Sequence, residues 1–325
     1  MDNIIAPISK ELLRSELRPE LRLRTTNKAG NELYIVTWHN APNVVREIGR
    51  LREIAFRSAG GGTGLACDLD EFDTCEHPYH QLIVWSPEEA EILGGYRFLP
   101  GKECQFAADG QPILATSHLF HFSDKFISDY LPYTVELGRS FVSLEYQSTR
   151  ALSKSIFALD NLWDGLGALT IVIPESRYFF GKMTMYPSFH RLSRDLILHF
   201  LLKHYPDAQS LVVPHQPLMP ETPNEELAAL LPYDDLHTDY RELKEFVRQR
   251  GVNIPPLFNA YMSLSPTMRC LGTALNRDFG NVEETGILIA TDEILQEKKM
   301  RHIDTYVSEH PATMEQFIDH FVQRS

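Results

Sequence analysis

The order in which strand-like and helix-like segments alternate along residues 33–205 limits the fold of this chain more than any other feature. Residues 33–38 form a short β-branched and aromatic run, and the apolar residues of 43–59 recur at helical spacing until Gly60-Gly61-Gly62 ends the pattern. The strand-like segments are 33–38, 81–86, 91–99, 135–144 and 178–185, and the helix-like segments are 43–59, 149–169 and 188–205. The order β-α-β-β-β-α-β-α predicts an α/β (α+β) fold with a mixed central sheet flanked by helices.

The remaining segments predict how the chain is divided. We expect an N-terminal arm at 1–32, a core at 33–212 and a C-terminal extension at 213–325. The proline-rich stretch 213–223 marks the second boundary, and beyond it lie helix-like patterns at 224–231 and 239–250, a break at Pro255-Pro256, a strand-like pattern at 284–290 and a last helix that ends near Val322. We expect the extension to add elements to the same sheet, and an independent second domain is the alternative.

Charge and composition exclude several function classes. The chain of 325 residues has 31 basic and 44 acidic side chains, so its net charge of −13 repels nucleic acid. Its four cysteines form no C-x-x-C pair and are expected to be free thiols in a reducing cytoplasm. The pairs His77-x-x-His80 and His118-x-x-His121 lack a third ligand at useful spacing, so no metal site is predicted.

The N-terminal sequence bears on localisation. It lacks the apolar core of a signal peptide, which favours a cytoplasmic protein. Residues 10–24 mix leucines with basic side chains, and this segment is either a packed arm or a peripheral contact with an anionic membrane at its inner face.

The segment Thr134–Val142 carries the most concentrated set of chemical groups. It holds Glu136, Gly138, Arg139 and Ser140, and a glycine inside a strand marks a bulge or a close approach. If Val135, Leu137 and Phe141 face the core, Glu136 and Ser140 share the opposite face. A cross-strand salt bridge beside a glycine bulge is the simpler interpretation of the same pattern.

Several motifs occur in an order that resembles a known family. They are Arg52-Glu53-Ile54-Ala55-Phe56-Arg57, Asp70-Glu71-Phe72-Asp73, Gly94-Gly95-Tyr96-Arg97-Phe98-Leu99-Pro100 and Glu136-Leu137-Gly138-Arg139-Ser140. This set is similar to GNAT-fold enzymes that take acyl groups from acyl carrier protein, a group with two branches: acyl-homoserine-lactone synthases and the hemolysin-like N-acyltransferases that start ornithine- and glycine-lipid synthesis.

Later motifs resemble the lipid branch more closely. They are Leu162-Trp163-Asp164-Gly165-Leu166, Tyr178-Phe179-Phe180-Gly181, Ile254-Pro255-Pro256-Leu257 and Asn276-Arg277-Asp278-Phe279-Gly280, so the resemblance covers roughly residues 33–292. Gly138 stands where the lactone branch usually has serine before the arginine. Residues 145–150 contain no glycine, although GNAT proteins that bind coenzyme A use a glycine-rich loop there to cradle a pyrophosphate. The resemblance therefore implies a donor carried on the phosphopantetheine of acyl carrier protein, with no bound cofactor.

Transfer of an acyl group to an amine requires a proton acceptor, because an ammonium group has no lone pair for attack. We expect Glu136 to accept this proton and backbone N–H groups at Gly138 to stabilise the thioester oxygen. We expect Asp70 and Asp73 to hold the acceptor amine, and Arg97 or Arg139 to pair with an acceptor carboxylate or with Glu136. A covalent route through Cys104 or Ser140 is disfavoured, since no histidine-paired nucleophile pattern occurs.

The predicted site is summarised by role. The catalytic residues are Glu136 and Arg139, the substrate-binding residues are Arg52, Phe56, Asp70, Asp73, Arg97, Gly138 and Ser140, and the carrier-protein-binding residues are Arg150 and Lys154. Because the carrier protein is acidic, a local basic patch is expected at Arg150, Lys154, Arg177, Lys182, Arg191 and Arg194.

The predicted function is N-acylation. A fatty or 3-hydroxy fatty acyl group would pass from acyl carrier protein to the α-amine of a small amino acid, glycine or ornithine, as the first step of aminolipid synthesis. The alternatives are a lactone synthase with an S-adenosylmethionine acceptor and a non-catalytic acyl- or lipid-binding module.

Overall fold

The computed structural model describes residues 1–147 and 152–309. The strands are β1 (Arg22–Thr25), β2 (Glu32–Val36), β3 (His80–Ser86), β4 (Glu91–Pro100), β5 (Phe120–Phe122), β6 (Thr134–Val142), β7 (Tyr178–Met185), β8 (Val212–Pro214), β9 (Arg269–Asn276) and β10 (Val282–Ala290). The helices are α1 (Lys10–Glu16), α2 (Pro42–Ser58), α3 (Glu71–Thr74), α4 (Leu152–Val172), α5 (Arg191–His204), α6 (Asn224–Leu230), α7 (Leu236–Gln249), α8 (Pro256–Met262), α9 (Gln296–His302) and α10 (Asp304–Glu309).

A mixed sheet forms the centre of the molecule. Within the described residues it has eight strands in the order β1-β2-β3-β4-β6-β7-β10-β9, and β5 and β8 form a separate pair. Neighbouring strands run antiparallel except β6 and β7, which run parallel. A parallel pair needs a crossover connection, and α4 lies between these two strands in sequence. The predicted α/β (α+β) class, with a mixed sheet flanked by helices, is confirmed.

The strands β6 and β7 separate part-way along their length. They pair through Thr134, Val135 and Glu136, opposite Tyr178, Phe179 and Phe180. Beyond that point β6 remains paired with β4, and β7 remains paired with β10 as far as Met185. The sheet therefore opens between its two halves.

Helices cover both faces of the sheet. The helix α2 buries Val44, Val45 and Ile48 against one face, in a cluster that includes Ile83 and Trp85. On the other face, α4 contributes Leu162, Leu166 and Leu169 to a cluster with Leu82, Val84 and Phe98. Because side chains alternate along a strand, Leu82 and Ile83 of β3 reach opposite layers.

The C-terminal segment continues the same sheet through β10 and β9. Its helices α7 and α8 pack with α5 in a shared apolar cluster that includes Phe200, Leu243 and Phe258. The sequence pattern predicted a break at Pro255-Pro256, whereas α8 begins at Pro256. Proline suits the first turn of a helix, because the N–H groups there have no partner within the helix.

The N-terminal arm packs against the core. Leu13 and Leu17 are buried in the cluster of α2, and β1 pairs with β2 at the edge of the sheet. At the other end, α10 reaches Glu309, and the predicted end of the last helix near Val322 lies outside the described residues. In the part of the chain that the structure describes, no helix is both long enough and apolar enough to cross a membrane.

Candidate active site

A β-bulge interrupts β6 at the point where the sheet opens. Gly138 pairs with Arg97, but the next pair joins Phe141 to Gly95, so β6 carries one residue more than β4 over this stretch. Arg139 takes up the extra length with a φ of 49°, in the left-handed region that side chains other than glycine seldom adopt. Such bulges commonly lie beside functional sites, where they redirect side chains.

The bulge changes which residues share a face. Leu137 packs in the cluster of α4, whereas Phe141 packs in the cluster of α2. The expectation that Leu137 and Phe141 face the same core is therefore wrong, because one inserted residue reverses the alternation. Glu136 and Ser140 are separated for the same reason, and Ser140 hydrogen bonds with Tyr96, a residue of the α4 cluster.

A cavity of about 560 Å³ occupies the opening between β6 and β7. The residues that line it on the α2 side are Ala55, Phe56, Ala59, Lys182, Thr184, Tyr186, Phe279 and Glu284, those of β6 are Leu137 to Val142, and those on the α4 and α8 side are Tyr96, Tyr146, Gln147, Pro255, Leu257 and Tyr261. The cavity thus reaches both faces of the sheet. A mostly apolar cavity with a few polar groups is the usual form of a small-molecule site.

Four of the predicted substrate-binding and catalytic residues lie at this cavity: Phe56, Gly138, Arg139 and Ser140. Gly138 leaves open space, since a Cβ built on it meets nothing within 4 Å. The Arg139 guanidinium lies over the ring of Phe279, 4.4 Å from its centroid. Arg139 is also held by Asp68, with 3.1 Å between Nε and Oδ2.

Another group of the predicted residues forms a buried ionic network behind the cavity. Arg52 pairs with Asp68 and Asp73, with 2.8 Å between its Nη2 and Asp73 Oδ2. Arg97 pairs with Asp70 at 2.6 Å and with Asp73 at 3.2 Å. The network reaches the cavity through Arg139, which shares Asp68 with Arg52.

Asp73 is committed to this network. Burial opposes its ionised form, but the guanidiniums of Arg52 and Arg97 outweigh burial and hold the pKa of Asp73 well below its ordinary value. Its carboxylate also accepts hydrogen bonds from the Gln81 amide and from the backbone N–H of Asp70. The placement of Asp70 and Asp73 therefore disagrees with their predicted role as holders of the acceptor amine, because Arg52 and Arg97 already bind these carboxylates.

Glu136 lies away from the cavity, at the last residue where β6 still pairs with β7. It is 3% exposed, and its carboxylate accepts hydrogen bonds from the Tyr79 hydroxyl, the Thr116 hydroxyl and the Thr116 backbone N–H. Arg97 and Arg139 pair with aspartates instead of Glu136 among the described residues. This enclosure disagrees with the predicted role of Glu136 as proton acceptor, because its carboxylate is buried and already engaged by Tyr79 and Thr116.

The cavity has its own carboxylate, which the sequence reasoning missed. Glu284 of β10 is 2% exposed, lines the cavity and forms an ion pair with Lys182 of β7. Lys182 was expected on a surface patch for the carrier protein, but its position on the cavity wall corrects that expectation. The only sequence signal that could have indicated this pair was the strand-like periodicity of both segments, 178–185 and 284–290.

The remaining basic-patch residues are distributed differently. Arg150 lies outside the described residues, and Lys154 lies in α4 with a side chain that is also outside them. Arg194 is 2% exposed and pairs with Glu283 and Asp195, so it is not a surface charge. Arg191 pairs with Glu221 and Glu283.

The thiol and hydroxyl groups near the site are protonated at neutral pH. Burial, together with the nearby charge of Glu136, raises the pKa of the Cys104 thiol to about 12, which disfavours a thiolate nucleophile. Burial also raises the pKa values of Tyr96, Tyr186 and Tyr261, so these phenols at the cavity keep their protons and can donate hydrogen bonds.

Comparisons with known proteins agree with this architecture. Residues 51–156 match the family model for an acetyltransferase (GNAT) domain. A glycine N(alpha)-acyltransferase of Bacteroides thetaiotaomicron is 65% identical over 314 residues, which cover 97% of this chain and 93% of the relative. The chain belongs to the same GNAT-domain acyltransferase family. A second glycine N(alpha)-acyltransferase, from Phocaeicola vulgatus, is 62% identical over 314 residues, which cover 97% of this chain and 96% of the relative.

A solved CoA-dependent acyl-homoserine lactone synthase, BjaI, with SAM and isopentyl-CoA, aligns with 86% of this acyltransferase and 89% of its own chain. Its sequence identity is 11% and its TM-score is 0.39. The predicted resemblance to GNAT-fold acyltransferases is confirmed by the family model and by the two relatives. The matched segment ends before β7 and β10, so Lys182 and Glu284 lie outside it.

Proposed function

We propose that this acyltransferase moves a fatty or 3-hydroxy fatty acyl group from acyl carrier protein to the α-amine of glycine, as the first step of aminolipid synthesis. The observation that carries the proposal is the cavity at the bulge of β6, which brings apolar walls, Arg139 and a buried acid–base pair to one opening in the sheet. The names of the two relatives support glycine as the acceptor.

The two faces of the cavity suit the two substrates. On the α4 and α8 side, Tyr146 and Gln147 follow β6 directly, and Leu257 and Tyr261 add apolar wall. The thioester donor enters here, along β6, and its acyl chain is buried against the apolar side chains. On the α2 side, the charged pair of Lys182 and Glu284 suits a small amino acid.

The opened strand can also serve the chemistry. The thioester carbonyl oxygen gains negative charge in the tetrahedral state, and preorganised N–H donors lower the energy of that charge. In the proposed arrangement the backbone at Gly138 faces the donor carbonyl, and the absence of a side chain lets the thioester approach the strand. The backbone at Gly138 would therefore act in the reaction alongside the charged pair on the cavity wall.

Acyl carrier protein is proposed as the donor on the basis of residues 145–150, which lack the glycines that cradle a pyrophosphate. A phosphopantetheine arm on a carrier protein carries a single phosphate at that end. The proposal places no resident cofactor in the protein.

The test is a thiol-release assay with purified protein. The same acyl group is supplied as the carrier-protein thioester and as the coenzyme A thioester, and each donor is paired with glycine, ornithine or S-adenosylmethionine. We expect thiol release and an N-acylglycine mass only with the carrier-protein donor and glycine, or with a strong preference for them. Preferential use of S-adenosylmethionine would support a lactone synthase. The absence of thiol release with every donor and acceptor pair would support a binding module.

A cellular measurement complements the assay. Lipid extracts from cells that express the protein are compared by mass spectrometry with extracts from cells that express an inactive variant. A new glycine-containing acyl lipid is expected. An ornithine headgroup in its place would correct the acceptor while retaining the reaction.

A further inference from the structure

Lys182 and Glu284 face the cavity from adjacent strands. In the antiparallel pair of β7 and β10, Lys182 lies opposite Gly286, and Glu284 lies opposite Thr184. The two charged side chains are therefore diagonal neighbours on one face of the sheet and form an ion pair. The Asn276 amide of β9 donates to Glu284 Oε1 at 3.3 Å, and the other titratable side chains of the described residues that interact with the pair are His118, beside Lys182 and Glu284, and Tyr186, beside Glu284.

The pair is costly to maintain for the fold alone. Only 12% of the Lys182 side chain and 2% of the Glu284 side chain are exposed, so both charges have lost most of their hydration. A buried ion pair often stabilises a fold no better than apolar residues of the same size. Glu284 is also the one carboxylate among the described residues that line the cavity.

We propose that Lys182 and Glu284 bind the zwitterion of the amino acid acceptor, and that Glu284 takes the proton from its ammonium group. The inference rests on the proposed function. A zwitterion presents a cation and an anion one carbon apart, so its carboxylate replaces Glu284 as the partner of Lys182 and its ammonium replaces Lys182 as the partner of Glu284. Each buried charge thereby exchanges one partner for another, and none is left alone.

The proton transfer balances with the acyl transfer. The ammonium group gives one proton to Glu284, and the nitrogen lone pair then attacks the thioester carbonyl carbon. As the C–N bond forms and the C–S bond breaks, the departing thiolate takes a second proton from nitrogen and leaves as a thiol. The products are the amide and the thiol, and Glu284 releases its proton to water before the next turnover.

The position of Glu284 favours it over Glu136. Glu284 lines the opening, whereas Glu136 is not part of the cavity lining and its carboxylate is held by Tyr79 and Thr116. Arg139, the other cation at the cavity, is already engaged by Asp68 and lies over Phe279. Lys182 is therefore the cation most directly placed to receive an acceptor carboxylate beside a proton acceptor.

The decisive experiment compares glycine with hydroxylamine as acceptors for Glu284→Gln. Hydroxylamine is largely unprotonated at neutral pH and needs no base before it attacks, whereas glycine is almost entirely an ammonium ion. Loss of a general base lowers the rate by about 10²–10⁴-fold. We expect kcat/KM for glycine to fall in this range and to rise steeply with pH, while the rate with hydroxylamine falls far less.

The matched control is Glu283→Gln, the neighbouring residue on β10. Glu283 is turned to the other side of the sheet, where it pairs with Arg191 and Arg194. This variant removes a charge from the same strand and should keep the wild-type pH profile with glycine. Equal loss in Glu283→Gln and Glu284→Gln would show a structural effect and would overturn the inference.

Lys182→Met provides a second measurement. We expect a rise in KM for glycine with a smaller effect on hydroxylamine, which has no carboxylate for Lys182 to bind. The double variant Lys182→Met/Glu284→Gln leaves neither charge unpaired and serves if a single variant fails to fold. In this double variant the selective loss with glycine should persist.

The outcomes separate this inference from the proposed function. If the wild-type protein acylates glycine and the Glu284→Gln variant keeps the wild-type pH profile, the role of Glu284 is overturned and the proposed function remains intact. Wild-type protein that acylates hydroxylamine but no amino acid would overturn the proposed acceptor and the zwitterion site together.

Discussion

At the scale of single residues, we expect Asp73 to contribute to the stability of the fold and not to the acyl transfer itself. Its carboxylate is fully buried between Arg52 and Arg97. Removal of one partner from a buried ion pair typically costs about 3–5 kcal/mol, because the remaining charges lose their compensation. We expect Asp73→Asn to lower the free energy of unfolding by about this amount in urea titrations, whereas Glu245→Gln, at an exposed pair with Arg248, should change it by about 0.5 kcal/mol or less.

The lowered pKa of Asp73 also predicts that the stability of the protein depends on pH. The pKa of Asp73 is lowered in the folded protein, so its stabilising contribution is complete above the unfolded pKa of about 4 and is lost as the pH falls towards the folded value. Unfolding measured between pH 3 and pH 7 should show a shallower loss of stability on the acid side for Asp73→Asn than for the wild type. Parallel curves for the two proteins would argue against this contribution.

For Glu136 we predict a loss of stability without a change in the pH profile of the reaction. Because its carboxylate binds Tyr79 and Thr116, we expect Glu136→Gln to leave the pH profile of glycine acylation unchanged and to cost about 1–3 kcal/mol of stability, the range for a buried polar group that loses its partners. Kinetic pH profiles and thermal unfolding of the same preparation check both parts. A lost acid limb in the pH profile would return the proton-acceptor role to Glu136.

At the scale of elements, Gly138 of β6 and Gly101, which follows β4, differ in what surrounds them. A Cβ on Gly138 meets nothing within 4 Å, whereas a Cβ on Gly101 would lie 1.8 Å from the carbonyl oxygen of Leu131. We expect Gly138→Ala to fold with near wild-type stability but with reduced kcat/KM for the thioester donor. The free energy of unfolding of Gly101→Ala, measured by thermal unfolding, should fall by about 1–3 kcal/mol or more, the cost of overpacking. Equal stability losses would mean that the bulge is packed more tightly than the backbone geometry indicates.

Periodicity predicted most of the elements that build the site. The hairpin of β3 and β4, the helix α2 and the strand β7 lie within a few residues of their predicted positions. The strand β9 escaped prediction because Gly272 interrupts it with a φ of 92°, and α8 escaped because two prolines looked like a break. Local patterns are reliable where one face of an element is continuously apolar, and these two elements lack that regularity.

The site was harder to predict than the fold. The motif around Gly138 lies at the opening, but one bulged residue reversed the face of the side chains beyond it in β6. Lys182 and Glu284 lie about a hundred residues apart in sequence and meet only because β7 pairs with β10. No spacing rule within one segment could bring these two charges together.

At the scale of the whole molecule, the cavity joins two halves of the sheet that different parts of the chain supply. The GNAT-matched segment 51–156 provides the C-terminal part of α2 together with β4 and β6, and the later strands β7 and β10 provide Lys182 and Glu284. The opening exists because β6 and β7 diverge after Glu136. In the proposed function, the two substrates enter from opposite faces and meet at the bulge without competing for the same wall.

This arrangement predicts that enlarging side chains on the two faces affects different substrates. Thr184 lies beside Glu284 on the proposed acceptor side, and Leu257 of α8 lies on the proposed donor side. We expect Thr184→Leu to raise the KM for glycine about tenfold, equivalent to about 1.4 kcal/mol of binding, with the preferred acyl length unchanged. Leu257→Trp should shift the preference towards shorter acyl chains while the KM for glycine stays near its wild-type value.

Competition among acyl-carrier thioesters of different length, combined with glycine saturation curves, measures both effects in one set of assays. Leu202→Trp on α5 is the size-matched control, since Leu202 is 39% exposed and lies outside the cavity lining. If Thr184→Leu and Leu257→Trp changed the same parameter, the substrates would share one entrance. The division of the cavity between the two faces of the sheet would then be wrong, even if the protein still acylated glycine.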